Sequence, residues 1–142
     1  MRIADVLRSK GAAVATITPE TTVAGLLTEL AMHNIGAMVV VSPDGLVGIV
    51  SERDVVRKLH EHGAELLRLP VSAIMTTFVA TCTPADTVDH LSALMTNKRV
   101  RHVPVVDNNR LVGIVSIGDV VKQRMEELER EQRALQDYIT RG

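Results

Sequence analysis

Gly48-Ile49-Val50-Ser51-Glu52-Arg53-Asp54-Val55-Val56-Arg57 returns 65 residues later as Gly113-Ile114-Val115-Ser116-Ile117-Gly118-Asp119-Val120-Val121-Lys122. Each copy predicts a short buried strand that runs into a serine, followed by a helix with an aspartate in its first turn. The offset of 65 holds without a gap from Thr16 to Arg57. Two copies at this period indicate a duplicated supersecondary unit rather than a solenoid array.

Hydrophobic periodicity and turn residues predict the same order of elements in both copies. The first copy is expected to contain an extended segment at 15–18, a helix at 22–33, strands at 37–41 and 46–50, and a helix at 51–61. The second is expected to contain a helix at 87–97, strands at 103–106 and 111–115, and a longer helix at 118–138. Short helical segments at 3–7 and 71–75 precede the copies at a different offset, 68. The predicted class is α/β (α+β), with two β-α-β-β-α units.

The predicted domains are a first repeat at 1–66, a second repeat at 67–124 and a C-terminal helical extension at 125–142. Six residues along the last helix are spaced alternately by four and three positions, as in a heptad seam: Val121, Met125, Leu128, Gln132, Leu135 and Ile139. Such a seam could pack on its own domain or form a dimer contact.

Composition excludes several classes of protein. Apolar residues make up 46% of the chain, which is ample for a core, and the formal charge of −1 argues against nonspecific binding to nucleic acid. Cys82 is the single cysteine, so no intrachain disulfide can form and a reducing compartment fits. Residues 1–11 lack the apolar core of a signal peptide, and no apolar run approaches the ~20 residues of a membrane span. We expect a cytoplasmic protein without membrane or nucleic-acid partners.

Two units that each end in Gly-Ile-Val-Ser-x-x-Asp resemble a tandem pair of CBS domains, the cystathionine β-synthase-type regulatory modules. The resemblance covers about residues 2–123. It implies two repeats packed through their sheets about a pseudo-twofold axis, with adenine nucleotides bound in two clefts between them. It also implies a flat homodimer and, because no fused enzyme or channel domain is recognisable, a stand-alone pair.

The Ser51-x-x-Asp54 and Ser116-x-x-Asp119 motifs have two interpretations. Serine and an acidic residue at a helix start form a capping box, which needs no ligand. The resemblance implies instead that Asp54 and Asp119 accept hydrogen bonds from ribose hydroxyls, and that Ser51 and Ser116 face the phosphates at the helix N-termini.

The segments before the two repeat helices are further candidates. The resemblance implies that their backbone reads the adenine edge, although their threonines also suit ordinary strand edges and helix caps. The candidate residues are Thr16, Thr18, Thr81 and Thr83.

A basic cluster at 98–102 breaks the symmetry, because its counterpart at 33–37 contains no permanent cation. It is either a solvated loop after a helix or a phosphate clamp formed by Lys98, Arg101 and His102. Arg53, just before Asp54, is a further candidate, and Gly118 replaces it in the second repeat. We expect the cleft that contains Asp119 to bind the more highly charged ligand, or to bind first. His102 should strengthen that binding below about pH 6.5.

No catalytic residue is predicted, because no Ser–His–Asp order, HExxH motif or P-loop occurs. The spacing of His60, His62 and His90 matches no recognisable metal-binding motif. We interpret Cys82 as a buried core residue rather than a nucleophile. The predicted function is a regulatory module that binds AMP, ADP, ATP or NAD, without a catalytic cofactor, and acts on an unknown partner through a change in shape or affinity. The alternatives are a structural homodimerisation module with degenerate clefts and, less favoured, a nucleotide-processing enzyme.

Overall fold

The computed structural model describes residues 1–11, 13–77 and 79–141, so the last residue of the predicted extension lies outside it. It has mixed α+β architecture. Its helices and strands are α1 (Ile3–Lys10), β1 (Thr16–Ile17), α2 (Val23–His33), β2 (Ala37–Ser42), β3 (Gly45–Ser51), α3 (Glu52–His62), α4 (Val88–Lys98), β4 (His102–Asp107), β5 (Arg110–Ser116) and α5 (Ile117–Arg141). Two short 3-10 helices, Gly63–Arg68 and Val71–Ala73, connect α3 to the second repeat. The predicted order of elements is confirmed.

The two sheets repeat one another almost residue for residue. In the first, β1 runs parallel to β2, which pairs antiparallel with β3. In the second, β4 and β5 form the matching hairpin, and Cys82 makes a single parallel bridge to Val105. That bridge stands where Ile17 pairs with Val40 in the first repeat. The segment before α4 is therefore an isolated bridge rather than a strand.

Left-handed residues end the first helix of each repeat at equivalent positions. Asn34 follows α2 with φ of 52°, and Arg99 follows α4 with φ of 55°. Asparagine tolerates this conformation well, whereas arginine adopts it less readily. The turn between β4 and β5 also places two asparagines, Asn108 and Asn109, at positive φ, as a type I′ hairpin turn requires.

The side chains pack into two cores, and each core takes its opening segment from the other repeat. Ile3, Val6 and Leu7 of α1 are buried with Leu91 and other residues of the second repeat. Backbone hydrogen bonds fix this arrangement, with the Ile3 amide donating to the Asp86 carbonyl at 2.9 Å. A Cβ atom added to Gly113 would lie 2.5 Å from Leu7 Cδ2, so a larger residue there would require the Leu7 side chain to move where α1 crosses β5.

The exchange is reciprocal. Val71 and Ile74, which precede the second repeat, are buried in the first core, and the Val71 amide donates to the Thr21 carbonyl at 2.7 Å. The sequence repeats at 1–66 and 67–124 are therefore not the packing units, because each unit is completed by a segment from the other repeat.

Helix α5 extends far beyond its own core. Val120 and Gln123 near its start are buried, whereas the apolar seam residues Val121, Met125, Leu128, Leu135 and Ile139 are 52–72% exposed. The seam thus does not pack on its own domain. Among the described residues, no helix combines the length and apolar character that crossing a membrane requires.

Candidate functional site

Ser51 and Asp54 form a complete capping box at the start of α3. The Asp54 Oδ2 atom accepts from the Ser51 amide at 2.8 Å and from the Ser51 hydroxyl at 3.1 Å. In return, the Asp54 amide donates to Ser51 Oγ at 3.3 Å. Within the described part of the chain these bonds use Oδ2 alone, so Oδ1 retains its capacity to accept a hydrogen bond from a ligand.

Ser116 and Asp119 repeat this box at the start of α5, with one addition. Asp119 Oδ2 accepts from the Ser116 amide at 2.9 Å, and also from the Lys10 ammonium at 2.6 Å. Lys10 donates a second hydrogen bond to the Ile114 carbonyl at 2.8 Å. Burial raises the pKa of Asp119, but the bonds from Lys10 and Ser116 outweigh it and lower the pKa below its usual value.

The carboxylate of Asp54 opens into a cavity of about 430 Å³, which we call the Asp54 cavity. The first repeat contributes residues from the start of α3, and the second contributes the loop before β4 and the start of α5. Its volume is within the range of small-molecule sites, about 300–1,000 Å³. The polar lining residues are Ser51, Glu52, Arg53, Asp54, Arg57, Thr76, Arg99, Arg101, His102 and Ser116.

A second cavity of about 560 Å³, which we call the Lys10 cavity, shares part of its lining with the first. Its walls are the end of α1, the segment 13–15, the segment 33–37 of the first repeat, the start of β4 and the end of β5. Among the described residues, the lining contains one permanent cation, Lys10, which is paired with Asp119.

The structure corrects the expected pairing of the basic loop with Asp119. Arg101 lines the Asp54 cavity, together with Arg53 and the unpredicted Arg57 and Arg99. The cause is the packing of the two repeats, which brings the start of α3 against the loop before β4. The expectation that the Asp119 cleft is the more cationic is therefore wrong, and the cationic cleft contains Asp54.

Six of the predicted ligand-binding residues are not among the described lining of either cavity. One is Asp119, whose carboxylate is paired with Lys10. The other five are all exposed: Thr16, Thr18, Thr81, Thr83 and Lys98. The chain lines the cavities with slightly earlier residues of the same segments, 13–15 and 79–80, whose backbone polar groups could still contact a ligand. Lys98 is the last residue of α4, and the lining of the Asp54 cavity begins with the next residue, Arg99.

His102 lies between the two cavities and lines both. Burial lowers its pKa, and the nearby Lys10 ammonium lowers it further, against the opposing effect of Asp119 and Glu52. His102 is therefore neutral at pH 7, and the expected gain in ligand binding below about pH 6.5 shifts to more acidic conditions.

Lys10 is the functional residue that the sequence analysis missed. In the first repeat the Ile49 carbonyl accepts from the Thr76 amide at 2.9 Å, whereas the equivalent Ile114 carbonyl accepts from the Lys10 side chain. The sequence does contain one signal. The offset between the repeats changes from 68 to 65 in the loop after α1, so the first repeat has three additional residues near Lys10.

Replacing Lys10 by methionine is expected to raise the pKa of Asp119, because the attraction is lost while the burial remains. A carboxyl group whose pKa is lower in the folded protein than in the unfolded chain stabilises the fold. The stabilisation is complete above the unfolded-state pKa of about 4 and is lost as the pH falls through the folded-state pKa. The variant should therefore lose less stability between about pH 4 and pH 2 than wild type. NMR titration of the Asp119 carboxyl measures the shift directly.

Lys58→Met provides the control, since Lys58 pairs with Glu61 on the exposed side of α3. An Asp119 pKa that is identical in wild type and Lys10→Met would show that the ion pair does not form in solution.

The remaining candidate chemistry is weak. Burial raises the pKa of Cys82 to about 12, and Asp86 adds to this, so the thiol stays protonated at neutral pH. This agrees with its interpretation as a buried core residue. Among the described residues, no group of three histidine, cysteine or acidic side chains is arranged to hold a metal ion.

Comparisons with known proteins converge on one family. The family model for the CBS domain matches twice, at residues 3–61 and 71–126. The chain is 38% identical to the CBS domain-containing protein CBSX3, mitochondrial, of Arabidopsis thaliana, over 99% of this chain and 72% of that protein.

Solved structures show the same likeness. The CBS-domain protein ATU1752 from Agrobacterium tumefaciens superposes with a TM-score of 0.85 at 44% identity, covering 87% of this chain and 99% of that one. The CBS domain pair of MJ0100, in complex with 5′-methylthioadenosine and S-adenosyl-L-methionine, superposes with a TM-score of 0.80 at 26% identity, over 89% of this chain and 98% of that one.

Proposed function

The chain belongs to the CBS domain family as a tandem pair of repeats, and we propose that it is a regulatory module that binds an adenine nucleotide between them. The observation that carries the proposal is the Asp54 cavity, where a partly buried carboxylate with an available oxygen faces a space large enough for a nucleoside. Such a carboxylate accepts hydrogen bonds from a ribose diol, and the MJ0100 pair holds adenosine-type ligands in its crystal structure.

Signalling would use the wall that the two cavities share. Gly36, Ala37, His102 and Ser116 line both cavities, and they come from both repeats. A ligand that moves one repeat against the other must displace this wall. The occupied and empty forms would then present different surfaces to a regulated partner protein.

Calorimetric titration with AMP, ADP, ATP, NAD and S-adenosylmethionine tests the proposal. Saturable binding of at least one compound is expected, without turnover. Lack of binding to every compound would favour the alternative of a structural module with degenerate clefts, and turnover of the bound compound would favour an enzyme.

We further propose that the functional form is a homodimer. Val56 on α3 and Val121 on α5 occupy equivalent positions of the two repeats and are 68% and 52% exposed. The exposed seam of α5 continues from Val121. Burying such side chains contributes about 1.5–3 kcal/mol each, which favours association of two copies along this face. The cytoplasmic location stays a prediction, and the Arabidopsis relative is named as mitochondrial.

Truncation after Arg124 is expected to weaken the dimer by about tenfold or more, because it removes most of the exposed seam but keeps the buried Gln123. Sedimentation over a range of concentrations measures the dissociation constant. Leu128→Ser should weaken the dimer as well, whereas Gln136→Ser, outside the seam, should not. A wild-type monomer at tens of micromolar would exclude the homodimer, and unchanged affinity after truncation would confine the interface to the repeats.

A further inference from the structure

Four arginine side chains converge on the Asp54 cavity from two separate parts of the fold. Arg53 and Arg57 lie one turn apart on α3 of the first repeat. Arg99 and Arg101 reach the cavity from the loop before β4 of the second repeat. None of the four has a side-chain ion pair among the described residues, although seven other pairs occur there.

The two cavities differ in charge. Four guanidinium groups face two carboxylates, Glu52 and Asp54, in the Asp54 cavity, so its lining carries a net positive charge. Among the described residues that line the Lys10 cavity, the single permanent cation is Lys10, which is paired with Asp119. Asn34 and Gly36 stand where the other cavity has Arg99 and Arg101. The net positive charge is therefore a property of the Asp54 cavity and not of the Lys10 cavity.

The arrangement of the arginines also indicates the class of anion. A guanidinium group binds a pair of phosphate oxygens through a planar fork, and one terminal phosphate group presents three such pairs, fewer than the four forks. A chain of two or three phosphate groups offers enough oxygens for the guanidinium groups of both repeats. Arg99 holds a backbone conformation that is uncommon for arginine, and this turn brings the loop to the cavity.

We propose that the Asp54 cavity is a polyphosphate site that selects nucleoside triphosphates over nucleosides and monophosphates. The nucleoside part of this inference rests on the proposed function. The polyphosphate part rests on the four arginines alone, and inorganic tripolyphosphate therefore tests it separately.

The experiment compares wild type with the double variant Arg57→Gln, Arg99→Asn, which removes one cation from each wall. Asparagine is the residue at the equivalent position of the first repeat, Asn34, so it suits the left-handed turn. The control is Arg110→Gln, Arg130→Gln, which changes the net charge equally at two exposed positions outside both cavities. ATP, adenosine and tripolyphosphate are titrated into each protein by calorimetry at two salt concentrations.

Wild type is expected to bind tripolyphosphate, and this binding should compete with ATP and weaken as salt rises. The double variant should lose about tenfold or more in affinity for ATP and tripolyphosphate, with less than about a twofold change for adenosine. The control pair should behave as wild type.

Equal losses for ATP and adenosine, or equal losses in the control, would overturn the inference, as would a wild type that does not bind tripolyphosphate. Binding of tripolyphosphate that depends on the arginines, in a protein that binds no adenine compound, would uphold the polyphosphate site and overturn the proposed nucleotide function.

Discussion

Leu26→Ala and Leu91→Ala are each expected to lower the free energy of unfolding by about 2–5 kcal/mol, the range for removing a buried leucine side chain. The two residues occupy equivalent positions in α2 and α4, and both are fully buried, one in each core. Because α1 and the segment 71–75 join the cores, both substitutions should shift a single unfolding transition. Urea denaturation followed by circular dichroism measures the change.

Met32→Ala is the control, since Met32 lies on α2 with 73% of its side chain exposed. Its effect should stay within about 0.5 kcal/mol. Losses below about 1 kcal/mol for both leucine variants would contradict the packing. Two separate transitions, with each variant moving a different one, would show that the cores unfold independently.

Asp54→Asn is expected to weaken adenine-nucleotide binding by about 1.5–3 kcal/mol, or roughly 10–150-fold, because the charged acceptor for the ribose is lost while the shape is retained. The same change removes a favourable interaction with the helix dipole, about 0.3–1 kcal/mol of stability. Calorimetric titration and thermal unfolding of the same samples separate the two effects.

Asp119→Asn tests the other cavity. The Asp119 carboxylate is paired with Lys10 and is not among the described lining of the Lys10 cavity, so the effect on adenosine binding should be smaller than at Asp54. Asp44→Asn, at an exposed turn, is the control and should change neither the binding affinity nor the stability. If asparagine at 54 retains full affinity, the capping box accounts for the motif there and the ribose assignment is wrong.

The elements of the fold could be predicted because each depends on its own neighbours in sequence. The serine and aspartate at the start of α3 form the capping box that their spacing indicates, and the turn at Asn108 and Asn109 closes the predicted hairpin. The constant offset further revealed that both repeats have the same order of elements. The resemblance to CBS domains supplied the clefts between the repeats.

The composition of each cavity could not be predicted, because it depends on how the repeats face one another. The sequence places Arg101 beside Asp119, but packing brings it to the cavity of Asp54. Lys10 was overlooked for a related reason: its partners Ile114 and Asp119 lie 104 and 109 positions away. Periodicity within one repeat contains no information about contacts with the other.

The crossing of α1 into the second core has a consequence for biosynthesis. Ribosomes add about 5–20 residues per second, so α1 is made several seconds before the partners to which it bonds. The Arg2 side chain donates to the Ala85 carbonyl, 83 positions later, and the apolar face of α1 lacks its core until β5 is complete. The first core likewise waits for Val71 and Ile74. The first core is therefore incomplete until residue 74 has been made, and the apolar face of α1 stays uncovered until the second hairpin has been made.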